Sequence, residues 1–169
     1  MLLLTDAVAD ARRGSADGLS RLVALWHEVD VVLPLSEPLI GKIVRVHLAP
    51  GRGGKPFMPI FTDGRILRRT AEHYGWRTDG DSIERVQVSA VVTLRMALAF
   101  VRSGTAEGAV INPGDPSALD LHPDEIEGIL AKDPRPLIER LSRLPIPEDK
   151  RFFAGPSPTE PGGRHADAS

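Results

Sequence analysis

Pro56-Phe57-Met58-Pro59-Ile60-Phe61-Thr62-Asp63 is the stretch on which the fold of this chain turns. Phe57 to Phe61 is an apolar run of strand length, and either Thr62 or Asp63 can accept an unpaired N–H at the start of a helix. In that helix Ile66, Leu67, Thr70, Ala71 and Tyr74 share one face, Arg65, Arg68, Arg69 and Glu72 lie away from it, and Gly75 stops it. A second buried strand, Gly108 to Ile111, ends in the turn Asn112-Pro113-Gly114-Asp115-Pro116. If the two strands lie side by side in parallel, Thr62, Asp63, Asn112 and Asp115 gather at one sheet edge, where α/β domains bind ligands. These four are the candidate binding residues; the alternative is that they only cap a helix and close a turn.

Working outward, Leu19, Leu22, Val23 and Trp26 recur at helical spacing behind Ser15, which predicts a helix over 15–27, and Gly14 and Gly18 weaken its continuation upstream. Val29 to Leu35 reads as a strand. Ile43 to Leu48 reads as another, with Val44, Val46 and Leu48 on one side, so that Ala49 to Pro56 becomes the long loop of a hairpin with the 57–61 strand. Downstream come a turn at Thr78-Asp79-Gly80-Asp81, a strand over Ile83 to Val88, and a helix capped by Ser89 with Val91, Leu94, Leu98 and Val101 inward, ended by Ser103-Gly104. Pro123-Asp124-Glu125 opens a further helix with acids at its positive end, and Leu137, Ile138, Leu141 and Leu144 group on a last one.

The order α-β-β-β-α-β-α-β-α-α has no strict βαβ alternation, so the expected class is α/β (α+β), a single domain with a mixed sheet of about five strands and packed helices. The expected division is an N-terminal lead-in over 1–14, the packed domain over 15–145, and a C-terminal segment over 146–169. Residues 154–169 contain no Val, Ile, Leu, Met or aromatic residue, which predicts a disordered tail.

With 169 residues, a domain can bury roughly 68–70% of its unfolded surface and needs no staples. The chain has no cysteine, which removes disulfides, thiolate metal sites and cysteine nucleophiles. Its 21 basic residues against 23 acidic argue against nucleic acid as a partner, and adjacent arginines occur only at Arg12-Arg13 and Arg68-Arg69. The strong preference for Arg over Lys, with abundant Ala, Gly and Pro, is the bias of a GC-rich bacterial coding sequence. Met1-Leu2-Leu3-Leu4 meets Thr5-Asp6 too soon for a signal sequence, and the apolar run Val88 to Val101 carries Arg95 and falls short of the roughly 20 residues a spanning helix needs. The reading is therefore a cytoplasmic protein with no membrane insertion.

Arrangements that carry chemistry are tested by spacing. Gly51-Arg52-Gly53-Gly54-Lys55 is followed by Pro56 and a strand instead of Ser/Thr and a helix, so it reads as a hairpin loop and not as a phosphate cradle. The five histidines, His27, His47, His73, His122 and His165, show no metal-ligand spacing. His122 beside Asp124 and Glu125 is the best general-base candidate, although acids in a first helical turn are already explained by the helix dipole. Ser89 lacks the flanking glycines of a nucleophile elbow, Glu125 and Glu127 cannot share a helical face, and Arg95 with Arg102 either marks an exposed stripe or pairs a buried carboxylate. No cofactor is implied.

Pro56 to Asp63 with its helix, Glu107-Gly108-Ala109-Val110-Ile111-Asn112-Pro113-Gly114 followed by Leu119, and the helix-to-Val-Leu-Pro segment near 15–35 together resemble the SseB N-terminal domain family over residues 15–131. The resemblance implies a bacterial cytoplasmic α/β domain of unsettled biochemical role, with links to secretion or amino-acid stress, and without the second domain of longer members. The resulting expectation is a non-catalytic interaction or regulatory module whose partner is another protein and whose surface carries an exposed apolar patch. The alternatives are a small-molecule-binding domain built on the 62–63 and 112–115 loops, and an enzyme assembled from distant residues such as His122, Asp115 and Ser89.

Overall fold

Side-by-side parallel pairing of the two decisive strands is present in a computed structural model of the chain, which describes residues 2–76 and 82–143. The elements run α1 (Leu2–Arg12), α2 (Ala16–Trp26), β1 (Asp30–Pro34), β2 (Ala49–Pro50), β3 (Pro56–Ile60), α3 (Gly64–Tyr74), β4 (Arg85–Ser89), α4 (Ala90–Arg102), β5 (Ala109–Ile111), β6 (Leu119–Leu121), α5 (Pro123–Leu130) and α6 (Arg135–Leu141). Four strands form a mixed sheet in the order β2-β3-β5-β6, in which only β3 and β5 are parallel, with Met58 opposite Ala109 and Ile60 opposite Ile111. β1 and β4 form a separate antiparallel pair. Reciprocal bonds between Val32 and Phe61, at 2.8 and 3.0 Å, join that pair to the end of β3.

Pro59 makes this junction possible. Met58 donates to Gly108 and Asn112 donates to the Ile60 carbonyl, so 58 and 60 serve β5, while Phe57 faces β2 and Phe61 faces β1. Pro59 sits where the partner on that second side changes from β2 to β1, a position that needs no donor.

Two apolar clusters sandwich the sheets. The larger gathers α1, α2, α4, α5 and α6 over Val31, Leu33, Met58, Ile60, Ile111 and Leu121; the smaller packs α3 through Ile66, Leu67 and Ala71 against Val32, Phe61 and Trp76. Asp63, rather than Thr62, caps α3 by accepting from the Arg65 N–H at 2.6 Å, and Gly75 takes the left-handed conformation at its end. Ser15 caps α2.

Several expectations are corrected. Within the expected lead-in over 1–14, Leu2–Arg12 form α1, which buries Leu4, Ala7, Val8 and Ala11 against α2. Its core stripe contains two alanines, which carry little weight in an apolar count. Gly18 is no helix weakener but the crossing point, because a Cβ there would lie 2.7–2.9 Å from Asp10 and Ala11, including backbone atoms. Ile43 to Leu48 forms no strand. It makes two isolated bridges, Leu35 to Val46 and Ile40 to Ile43, and is held by the His47 N–H on the Pro34 carbonyl (3.0 Å) and by the His47 ring stacked on Trp76 at 5.0 Å. The hairpin survives in shortened form, Ala49 opposite Phe57, around a 3-10 turn at Arg52–Gly54. β6 was unexpected; three residues are too few to show alternation, and pairing with β5 is what makes Leu119–Leu121 a strand. Ser89 stands at the cap position before α4, as expected, but makes no side-chain capping bond, and Ala90, Thr93 and Ala97 join Leu94 and Leu98 as the buried face of the helix, leaving Val91 and Val101 half-buried. Arg95 and Arg102 are exposed. The expected turn at 78–81, Leu144 and the tail lie outside the described residues.

Gly18→Ala tests the helix crossing. At an open helical site this change gains about 1 kcal/mol, whereas here overpacking should produce a net loss of about 1–3 kcal/mol in chemical denaturation. A stabilised variant would refute the close approach.

Candidate functional site

At the C-terminal ends of β3 and β5 the four sequence candidates come together, but in two layers. Thr62 and Asn112 are fully buried. The Asn112 Oδ1 accepts from the Thr62 N–H at 2.9 Å, and its Nδ2 donates to the hydroxyls of Thr62 (2.8 Å) and Ser117 (3.1 Å). Thr5 of α1 reaches the same hydroxyl of Thr62 at 2.7 Å, and Arg12 donates to the Pro116 carbonyl. Asn112 achieves this with a left-handed backbone, φ 48°, a conformation that asparagine tolerates better than most side chains. Every polar atom of its amide is thereby occupied, so Asn112 and Thr62 are structural and present nothing to a ligand.

Asp63 and Asp115 form the outer layer. Asp63 caps α3, and the Arg65 guanidinium bonded to it holds its carboxyl below the usual carboxylate range. Asp115 accepts from the Ser117 N–H (3.0 Å) and hydroxyl (2.7 Å) through one oxygen and from Arg69 of α3 (2.6 Å) through the other. Beside this ion pair lies a cleft of about 290 Å³ between α3 and the 113–116 turn, lined by Ile66, Arg69, Thr70, His73, Gly114 and Asp115 among others. Thr70, buried at its wall, donates to the Pro113 carbonyl at 2.7 Å and fixes the turn to the helix. The candidate cleft therefore lies one layer further out than Thr62 and Asn112. Arg69 and His73, one helical turn apart, escaped notice because they sit on the polar stripe of α3, where arginine is the ordinary occupant.

The structure does not bring Asp115, His122 and Ser89 together. Asp115 precedes β6 and His122 follows it, at opposite ends of the strand, while Ser89 ends β4 in the other sheet. His122 instead lies 3.6 Å from Asp120 and meets Phe57 edge-on. Glu125, read as a dipole acid, is buried and receives two bonds from Arg140 at 2.7 and 2.9 Å. Burial pushes its carboxyl up, against the downward pull of Arg140. Among the described residues no three His, Asp or Glu side chains form a metal-ligand set, and no helix is long and apolar enough to cross a membrane.

The family model of the SseB protein N-terminal domain matches residues 4–128, beginning inside α1 and ending inside α5. No curated protein and no solved structure matches.

Asn112→Ala strips the buried Thr62 N–H of its acceptor, removes the amide bonds to the Thr62 and Ser117 hydroxyls and places alanine in a left-handed backbone, so denaturation should register a loss of about 2–4 kcal/mol. A change below about 0.5 kcal/mol, the range of an ordinary surface substitution, would contradict the structural role.

Proposed function

This chain belongs to the SseB N-terminal domain family, and we propose that it serves as a non-catalytic interaction module whose partner is another protein. The observation that carries this reading is the loop between β1 and β2. Leu39, Ile40 and Ile43 are 50, 71 and 64% exposed, three of the four large apolar side chains exposed among the described residues. They flank a tight turn in which the Ile43 N–H donates to the Ile40 carbonyl at 3.2 Å and Gly41 takes a positive φ. The root of the loop is fixed by the Leu35 to Val46 bridge, by Ser36 on Arg45, and by His47 on Trp76. Apolar side chains presented on a braced turn cost little further ordering on binding, which favours their use as an anchor in a partner's apolar recess.

A photo-crosslinking residue at position 40 should capture one discrete protein in cell extract, and Leu39→Ser with Ile43→Ser should cut that yield about tenfold without lowering the melting temperature. Equal capture from position 127 on the exposed face of α5 would remove the proposal.

A second reading, a small-molecule site, is favoured by the cleft beside Arg69. Asp115 occupies one side of the guanidinium and leaves its other donors free to meet a carboxylate or phosphate. Citrate, inorganic phosphate and adenosine monophosphate serve as probes. Saturation with one of them should raise the melting temperature by a few degrees, and Arg69→Ala should abolish the rise while leaving the unliganded protein nearly as stable. An unreactive panel would discard this reading.

A further inference from the structure

Among the described residues β4 ends its sheet with an open edge. Val32 directs both of its main-chain groups to Phe61 and so turns away from β4, while the Leu35 N–H donates to the Glu84 carbonyl (2.8 Å) and the Ala90 N–H to the Val29 carbonyl (3.0 Å). These bonds flank the ladder and set its alternation. Val86 and Val88 face β1 with their main chain, and Arg85 and Gln87 direct theirs outward. Among the described residues no other strand lies on that side. Natural edges are shielded by charged side chains, proline or a bulge; Arg85-Val86-Gln87-Val88-Ser89 has no proline and no bulge in an unbroken register with β1, and its single charge, Arg85, stands at the end of the strand.

We propose that two copies of this chain join edge to edge through β4, antiparallel and centred on Gln87. In that register Gln87 meets its counterpart across the two-fold axis, Arg85 of each copy lies opposite Ser89 of the other, and Val86 lies opposite Val88 on the core side. Charge selects this arrangement. Asp30 stands directly opposite Ser89 within one copy, so Arg85 of the second copy lies in the same row, two strand spacings or about 10 Å away, a span that an arginine and an aspartate bridge together. Both side chains are exposed, and among the described residues neither has an oppositely charged partner in the single copy. Arg85 instead extends its guanidinium over Gly64, the first residue of α3, within 3.0 Å of where a Cβ would stand. A register centred on Arg85 would set two guanidiniums face to face and is disfavoured. The occupant that satisfies both the unpaired main chain and the unpaired charges is thus a second copy of the same strand.

The absence of native cysteine supplies a clean experiment. Sedimentation of the full chain at concentrations up to about 1 mM should show a monomer–dimer equilibrium. Gln87→Cys, as the only thiol, should form a disulfide-linked dimer on mild oxidation, well above the level reached by Arg85→Cys or by Glu127→Cys. Gln87→Lys should weaken the dimer about fivefold or more in low salt, and mixing it with Gln87→Glu should recover a heterodimer. A chain that stays monomeric throughout overturns the proposal, and so does a dimer that is indifferent to Gln87→Lys or cross-links better from position 85. These readouts are independent of Leu39, Ile40 and Ile43, so failure here leaves the loop proposal standing.

Discussion

The side-chain amide of Asn112 is the interaction on which the rest of the fold depends. Two parallel strands of three paired residues cannot hold register through main-chain bonds alone, and β3 and β5 diverge at their C-terminal ends, one entering α3 and the other a turn. Asn112 spans that divergence. Its oxygen fixes Thr62 at the start of one exit, its nitrogen fixes Ser117 at the far side of the other, and Thr5 brings the first helix to the same point. A buried polar network stabilises only when fully satisfied, and this one is. The left-handed backbone of Asn112 is the local strain accepted to aim the amide.

A second buried polar contact closes the opposite end of the sheet. Arg140 of α6 bonds Glu125 with both carboxylate oxygens occupied and also donates to the Asp120 carbonyl, tying α6 to α5 and β6. Leu137 and Leu141 enter the main core beside these bonds. α6 lies beyond the residues matched by the SseB family, so this chain supplies from its own C-terminal side a helix that completes the cover over α2 and α5. The ion pair gives that helix a fixed register more than it adds stability, because the cost of removing both charges from water offsets most of their attraction.

What the sequence made legible follows the strength of its local signals. Asp63, Gly75, Ser15 and the Pro123 turn bracket helices α3, α2 and α5 because caps are encoded within a few residues. The gathering of Thr62 and Asn112 could be anticipated from two strands ending in turn residues. Features set by tertiary contacts were not legible. Ile43 to Leu48 alternates as a strand does, yet Pro50 and Pro56 restrict pairing near it, and stacking of His47 on Trp76 holds the segment in an irregular path. α1 was overlooked because alanines form half of its buried stripe and because Gly18 reads as a helix breaker until a second helix is laid across it. The role of each site residue was equally hidden: Thr62 and Asp115 are both polar turn residues, and only burial separates the one that braces from the one that faces a cleft.

That separation has a consequence for any ligand the cleft accepts. From Arg69 a continuous series of hydrogen bonds passes through Asp115 and Ser117 to Asn112, Thr62 and finally Thr5 on α1. Arg69 is the exposed end of the series, whereas Ser117, Asn112 and Thr62 are buried and bonded to one another. Arg69 is consequently held by a carboxylate that is itself held by two bonds from Ser117, so its guanidinium is oriented before anything binds. An anion that competed with Asp115 for Arg69 would have to loosen a residue bonded into the strand junction, whereas one that used the remaining donors would leave the junction intact. The geometry thus favours a ligand that adds to the Arg69–Asp115 pair over one that breaks it, and confines specificity to α3 and the 113–116 turn.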